Sequence, residues 1–306
     1  MNKLEANVSL VIITFFAAIQ YIFLSAIPDT VSHFAFLCIT NLIGFLITLA
    51  FFFGELFRLD KKQIVQSMAL AGELFVFNVF LLLGSSGVSA TVCACVLSAY
   101  FVFIPLFSVL IFHQKTEINN YVGIVIVLSG LFLILGTDVT GIFNRNVLYL
   151  LVADATFALY IMTSGKFSIG SNPSILAMGQ MFFTFLFSLL FWAGESVVLH
   201  KPMSLPTDAS FWGSVIYISF FIRGLYGIVQ IYALRYVSPL NTSLIFSSEI
   251  IMTMFMSPIL TLVFGSDPEQ ITLLKAAGGV VMVMGILAAD SSVVESIKRR
   301  FIRVEK

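Results

Sequence analysis

Long runs of apolar residues alternate with short polar breaks along the whole chain. A bilayer core about 30 Å thick needs about 20 apolar residues per helix. Runs of that length, bounded by charge, Gly or Pro, fall at 7–27, 32–54, 63–84, 89–112 and 118–136, and again at 146–165, 173–194, 210–234, 239–264 and 271–290. None alternates like a barrel strand, and backbone groups in lipid must be satisfied internally. The pattern predicts an all-α integral membrane protein with ten transmembrane helices. The first run follows only Lys3 and Glu5 and ends at Ile27-Pro28-Asp29 with no small-x-small cleavage site, so it reads as a retained helix and not a signal peptide.

The distribution of basic residues orients the chain. With the N-terminus cytoplasmic, the inside segments hold Lys3, Arg58, Lys61, Lys62, Lys115, Lys166, Arg235, Lys298, Arg299, Arg300, Arg303 and Lys306, and the outside segments only Arg145, Lys201 and Lys275. This positive-inside bias places both termini in the cytoplasm. The Asn-x-Ser sequons at Asn7 and Asn241 then fall on the cytoplasmic side, and the expected location is a cell inner membrane crossed many times.

The two halves repeat one another. A shift of 139 places Tyr21 on Tyr160 and Asn41 on Gln180; a shift of 149 superposes Val88-Ser89-Ala90 on Val237-Ser238-Pro239 and Ser98 on Ser247. Gly123 and Gly130 recur with equal spacing as Gly278 and Gly285. Five spans per unit is an odd number, so the second copy enters the membrane upside down. The expected organisation is a first five-helix repeat over 1–137, a second, inverted five-helix repeat over 138–290 and a basic cytoplasmic tail over 291–306. Inverted repeats are a transporter device, with the substrate site in a central cavity near the midplane.

The stretches LSAYFVFIPLFSVLIF (97–112), YVGIVIVLSGL (121–131) and YVSPLNTSLIFSSE (236–249), with Phe157-Ala158-Leu159-Tyr160 and Gln180, resemble the drug/metabolite transporter superfamily, EamA-type. That resemblance covers nearly the whole chain. It implies two inverted five-helix bundles, a cavity lined mainly by helices 1 to 4 and 6 to 9, more peripheral helices 5 and 10, and the transport, often outward, of amino acids and other small metabolites. Two departures stand out: Glu249 is followed by Ile250, with the proline delayed to Pro258, and the usual Gly-Glu closing that helix is replaced by Gly265-Ser266-Asp267-Pro268-Glu269.

Composition narrows the remaining classes. Only 10% of the 306 residues are charged and 59% are hydrophobic, against about a quarter charged in soluble domains. Sixteen basic residues balance sixteen acidic ones without a basic stripe outside the tail, so lipid and not nucleic acid is the expected partner. Cys38, Cys93 and Cys95 lie in apolar runs without metal or redox spacing, and His33, His113 and His200 are far apart; neither a disulfide framework nor a zinc site follows. The chain carries no His-Glu-x-x-His, no Gly-x-Ser-x-Gly and no ATP-binding Gly-rich loop with Lys. An enzyme is therefore not expected, no cofactor is implied, and energy comes from a gradient, with a proton as candidate coupling ion, or from the small-molecule substrate itself.

Ionisable residues inside spans are functional candidates by default. Glu73 and Glu249 lie about 15 and about 14 Å from the cytoplasmic ends of helices 3 and 9, Arg223 about 18 Å from the outer end of helix 8, and Asp154 about 12 Å from the outer end of helix 6. Arg223, Tyr226, Gly227 and Gln230 share one face of helix 8, which is expected to line the cavity. Thr242, Phe246, Glu249 and Thr253 form a stripe on helix 9, and Thr14, Tyr21 and Ser25 one on helix 1. Asn41 with Thr48, and Gln180 with Thr184, give helices 2 and 7 a polar side. Glu73 falls one residue from the repeat counterpart of Arg223, so the two are expected to approach across the pseudo-twofold axis.

Each candidate has a purely structural alternative. Arg223 and a glutamate can form a buried ion pair that locks helices together, Asp154 can hydrate at the interface, and Tyr21, Tyr100, Tyr160, Tyr226 and Tyr232 can simply pack among thirty-three phenylalanines. The functional reading gives Arg223 to a substrate carboxylate and Glu73 or Glu249 to an amine or a coupling proton, in a secondary transporter that exports a small polar or zwitterionic metabolite by alternating access. Its rivals are uptake of an organic cation through an acidic, aromatic site and a non-transporting membrane scaffold. Pro105 and Pro258 are expected to bend helices 4 and 9.

Overall fold

A computed structural model of the chain describes residues 2–25, 27, 31–86, 88–111, 113, 118–135, 144–200, 203–263 and 271–289. Within them the apolar runs become helices: α1 (Lys3–Ser25), α2 (His33–Phe52, continued by a 3-10 turn Phe53–Arg58), α3 (Lys61–Ser85), α4 (Ala90–Leu97 and Tyr100–Leu110), α5 (Ile118–Leu135), α6 (Arg145–Gly170), α7 (Pro173–Leu199), α8 (Ala209–Ala233), α9 (Pro239–Phe246 and Ser248–Val263) and α10 (Leu273–Ala289). Eight are long and apolar enough to cross a membrane, and α5 and α10 are shorter apolar helices. The tail from 291, the segment 265–269 and the Ser25 side chain lie outside the described residues.

Local chemistry sets the starts. Ser32, Ser89 and Ser238 accept the backbone N–H three residues on, from Ala35, Val92 and Asn241, satisfying a donor the first turn leaves without an intrahelical partner. Asn144 and Asn172 do the same for α6 and α7 from two residues on. Ser89 and Ser238 are repeat equivalents, so α4 and α9 begin on the same device.

The packing follows an inverted repeat. α2 lies on α7 and α5 on α10, while α3 against α6 is mirrored by α8 against α1, and α4 against α6 by α9 against α1. The α5–α10 crossing shows the symmetry at atomic scale. A Cβ on Gly130 would sit 2.7 Å from the Gly278 carbonyl oxygen and one on Gly278 would sit 2.7 Å from that of Gly130, while Gly285 approaches the Gly123 carbonyl at 3.0 Å. Exchanging the two repeats turns the first contact into the last. Small residues let the backbones touch, which is how helices associate where lipid is as apolar as leucine. Outward faces carry Leu46, Val65, Val125, Leu190 and Phe255, all exposed, as a lipid-facing surface requires.

The interruptions of α4 and α9 are not at the prolines. Each second segment runs on through Pro105 or Pro258, and the breaks fall at Ser98-Ala99 and at Ser247, which the repeat superposes. The hydrogen bonds match: Ser98 N–H donates to Ala94 O at 3.0 Å, and Ser247 N–H to Ser243 O at 3.0 Å.

The glycine contacts yield a test. Gly130→Ala places its methyl against backbone atoms of α10 and is expected to cost about 1–3 kcal/mol, lowering the Tm of detergent-solubilised protein by several degrees. Gly72→Ala, whose Cβ would meet nothing within 4 Å, is expected to leave Tm unchanged; equal Tm values for the two variants would refute the close α5–α10 crossing.

Candidate functional site

At the centre of the bundle α1, α3, α4, α6, α7, α8 and α9 enclose a cavity of about 50 Å³, room for a few water molecules at about 10–15 Å³ each. Its polar lining is Gln20, Tyr21, Asn78, Tyr100, Tyr160, Arg223, Tyr226, Gln230 and Glu249. α5 and α10 contribute nothing to it, consistent with their place at the rim of each repeat. The absence of α2 from the lining departs from the expected set of helices.

Arg223 reaches the cavity from an irregular stretch of backbone. Residues Ile218–Tyr226 form a π-helix in the middle of α8, a widened turn of the kind found at functional sites. Glycines bring the neighbouring helices close: a Cβ on Gly44 of α2 would lie 2.4 Å from Arg223 Cβ, and Gly227 faces Met181 and Gln180 of α7. Arg223, Tyr226, Gly227 and Gln230 all line the cavity, as their shared face predicted. The guanidinium has no carboxylate within ion-pairing distance among the described residues, its Nε has no hydrogen-bond partner, and the titratable group it faces is the Tyr160 phenol.

Glu249 stands in the first turn after the α9 break. Tyr21 and Gln20 of α1 are its hydrogen-bonding neighbours, and its Oε1 remains unpartnered. Its repeat equivalent is Tyr100, in the first turn after the α4 break, whose hydroxyl donates to the Ser243 carbonyl at 3.1 Å. Each broken helix thus places a polar side chain at the centre, and one is tied to the backbone of the other. Tyr160 donates to Gln180 Oε1 at 3.0 Å, leaving Gln180 one layer behind the wall with its Nε2 unpartnered. Phe246 stacks on Tyr226, centroids 5.4 Å apart, and Thr253 donates to Ala18 O at 3.1 Å, so the α9 stripe turns toward α1 and α8. Thr242 of the same stripe is buried.

Several candidates lie elsewhere. Glu73 accepts from Thr163 at 3.1 Å in the seam where α3 packs on α6. That seam also holds Phe77 stacked on Phe157 and Phe80 against Tyr149, so Glu73 neither lines the cavity nor meets Arg223. Asn41 donates to Leu37 O of its own helix at 2.7 Å, and Tyr232 packs on Phe52 away from the centre. Asp154 does not reach the interface: it is 0% exposed. Gln20 and Asn78, which the sequence reading passed over, belong to the wall. The signal for Asn78 was its spacing of four residues from Leu74, which with Phe77 at three puts the three side chains on one face of α3. Among the described residues no cluster of three His, Cys, Asp or Glu side chains is arranged to hold a metal.

Beside the cavity, aromatic stacking and hydroxyl-to-carbonyl bonds hold α1 against α8. Phe16 and Phe23 of α1 stack on Phe221 and Tyr217 of α8 at 4.6 and 4.2 Å between centroids. The hydroxyls of Tyr217 and Ser214 donate to the carbonyls of Phe16 at 2.8 Å and Phe23 at 2.9 Å.

Comparison with known proteins places this architecture. No curated protein matches the chain. Among solved structures 26 chains match; one of them, "Crystal structure of protein", is 17% identical with a TM-score of 0.65 over 95% of this chain and 97% of that one, a likeness of fold. The model of the EamA-like transporter family matches residues 5–136 and again 144–289. Since those matches take in both repeats and every helix lining the cavity, the chain belongs to the EamA-like transporter family.

Proposed function

We propose that this transporter exports a small polar or zwitterionic metabolite, amino-acid-like in its charges, by alternating access around the central cavity, driven by a gradient with a proton as coupling ion. The observation that carries the reading is that Arg223 and Glu249 line one cavity without pairing with each other. A cation and an anion held apart in a low-dielectric space keep their binding capacity, and a ligand with a carboxylate at one end and an amine at the other satisfies both. Gln20, Asn78 and Gln230 supply neutral donors and acceptors between them, and Tyr21, Tyr100, Tyr160 and Tyr226 supply aromatic walls. The outward direction rests on the family resemblance. The cytoplasmic placement of both termini in an inner membrane rests on the basic-residue bias.

The rival reading, uptake of an organic cation, draws on the tyrosines around Glu249. Arg223 in the same cavity opposes it, because a second cation there is repelled.

Counterflow in proteoliposomes with a labelled mixture of amino acids and organic cations separates the two. Hydrogen bonds to charged groups contribute about 1.5–3 kcal/mol, so Arg223→Ala is expected to cut amino-acid exchange by about ten- to a hundredfold, and Glu249→Gln to weaken it as well. Cation flux that survives Arg223→Ala and vanishes in Glu249→Gln would overturn the zwitterion reading.

A steric variant tests the placement of the arginine with its charge intact. Gly44→Ala drives a methyl into Arg223 Cβ and is expected to raise the concentration for half-maximal exchange by about tenfold, the equivalent of about 1.4 kcal/mol. Unchanged exchange in a folded Gly44→Ala protein would show that the position of Arg223 does not matter to the ligand.

A further inference from the structure

Asp154 is not used by the site as described. It lies in α6, fully buried, outside the cavity lining, and neither of its carboxylate oxygens has a partner at full hydrogen-bond geometry, the backbone N–H of Tyr100 being the donor that approaches it. No cation pairs with it among the described residues. The titratable groups facing it are Tyr100 and Cys93 from α4 and Glu249 from α9. On the α3 side the nearest acidic group, Glu73, binds Thr163, nine positions further along α6 and so about 13 Å away along its axis.

Two features of this surrounding oppose one another. A carboxylate buried without a cation is costly as an anion and calls for the neutral acid. Yet the neighbour it faces is the backbone of Tyr100, the first residue of the second segment of α4. That segment has eleven residues, and the N–H groups at a helix N-terminus favour an anion. Which state wins is decided by how closely the second segment of α4 approaches α6. The break at Ser98-Ala99 is the place where that approach can change, and Tyr100 is also the residue that ties α4 to α9 through Ser243.

We propose that Asp154 is the seat of the coupling proton, a site separate from the substrate cavity and screened from it by Tyr100. The inference rests on the transport reading above and assigns its ion. Hydronium gives its proton to a carboxylate oxygen of Asp154 and leaves as water; when the second segment of α4 brings its N-terminal N–H toward the carboxylate, the proton returns to water on the other side. Glu249 is then left to the ligand's amine. Proton and substrate act on each other through Tyr100 and the two broken helices and do not compete for one group.

Asparagine copies the neutral acid in shape and cannot release a proton, so Asp154→Asn tests the assignment in the intact, reconstituted protein. With a labelled amino-acid mixture as probe, wild type is expected to accumulate label under an imposed pH gradient and to exchange it in counterflow without one. Asp154→Asn is expected to keep counterflow within about twofold of wild type and to lose gradient-driven accumulation by at least about tenfold. Accumulation equal to wild type in the variant would overturn the proposal, as would counterflow without any gradient-driven accumulation in wild type, or loss of both activities in a folded variant. Infrared difference spectra on pH change, recorded on the protein without any substrate, read the site independently of flux. A carboxylic-acid C=O band that responds to pH and is absent from Asp154→Asn supports the assignment even if the amino-acid mixture is not transported. Its absence from wild type overturns the assignment while leaving the zwitterion reading intact.

Discussion

A guanidinium in the middle of a bilayer is tolerated only where a counter-charge, backbone carbonyls or water reaches it. Among the described residues Arg223 has no carboxylate beside it, and much of the local architecture follows from bringing its head to the cavity. Gly44 removes the side chain that would otherwise stand where Arg223 Cβ lies. The π-helical stretch changes the pitch of α8 at that level, and the α9 break brings Glu249 to the same space. Had the two charges met, the pair would have filled the centre and left little for a ligand to do. Apart, each retains unmet hydrogen-bonding capacity in a volume of only about 50 Å³.

Irregular backbone at membrane depth is tolerated only where protein or a cavity covers it. The breaks of α4 and α9 and the widened turn of α8 all put residues on the cavity wall, in Tyr100, Glu249 and Arg223. The first two are related by the repeat down to their hydrogen bonds. The third is not: α3, the counterpart of α8, runs unbroken over Lys61–Ser85. The repeated scaffold is therefore nearly symmetric while the chemistry on it is not. The second half presents the two charges, and the first presents amides and phenols.

What the sequence disclosed depended on how much of each property is one-dimensional. Span positions are set by hydropathy summed along the chain, and all ten runs became helices. The face carrying Arg223, Tyr226, Gly227 and Gln230 was legible because four informative residues share it. Glu73 does not meet Arg223 as expected, because depth in the membrane gives no direction around the helix axis. The spacing of Glu73, Phe77, Phe80 and Gly84 is the four-three-four rhythm of a helix seam, and that seam is where Glu73 lies. Asp154 shows the converse, since distance from a helix end suggested water and only the packing of α4 shows that none of its surface is exposed. The interruptions themselves were not legible from the prolines: a missing N–H weakens a helix locally, but the breaks formed at the serines of the repeated motif.

The size of the cavity bears on how the molecule works. Anything larger than a few waters can enter the cavity only if its walls part. The α1–α8 seam includes two aromatic stacks and two hydroxyl-to-carbonyl bonds. At about 0.5–1.5 kcal/mol for each stack and a similar amount for each bond, its strength is a few kcal/mol. A ligand that satisfies Arg223 and Glu249 better in one arrangement than in the other supplies a difference of the same order, and only such a difference can shift the population. The contacts between α1 and α8 and the unmet hydrogen-bonding capacity of Arg223 and Glu249 are thus of the same order in energy.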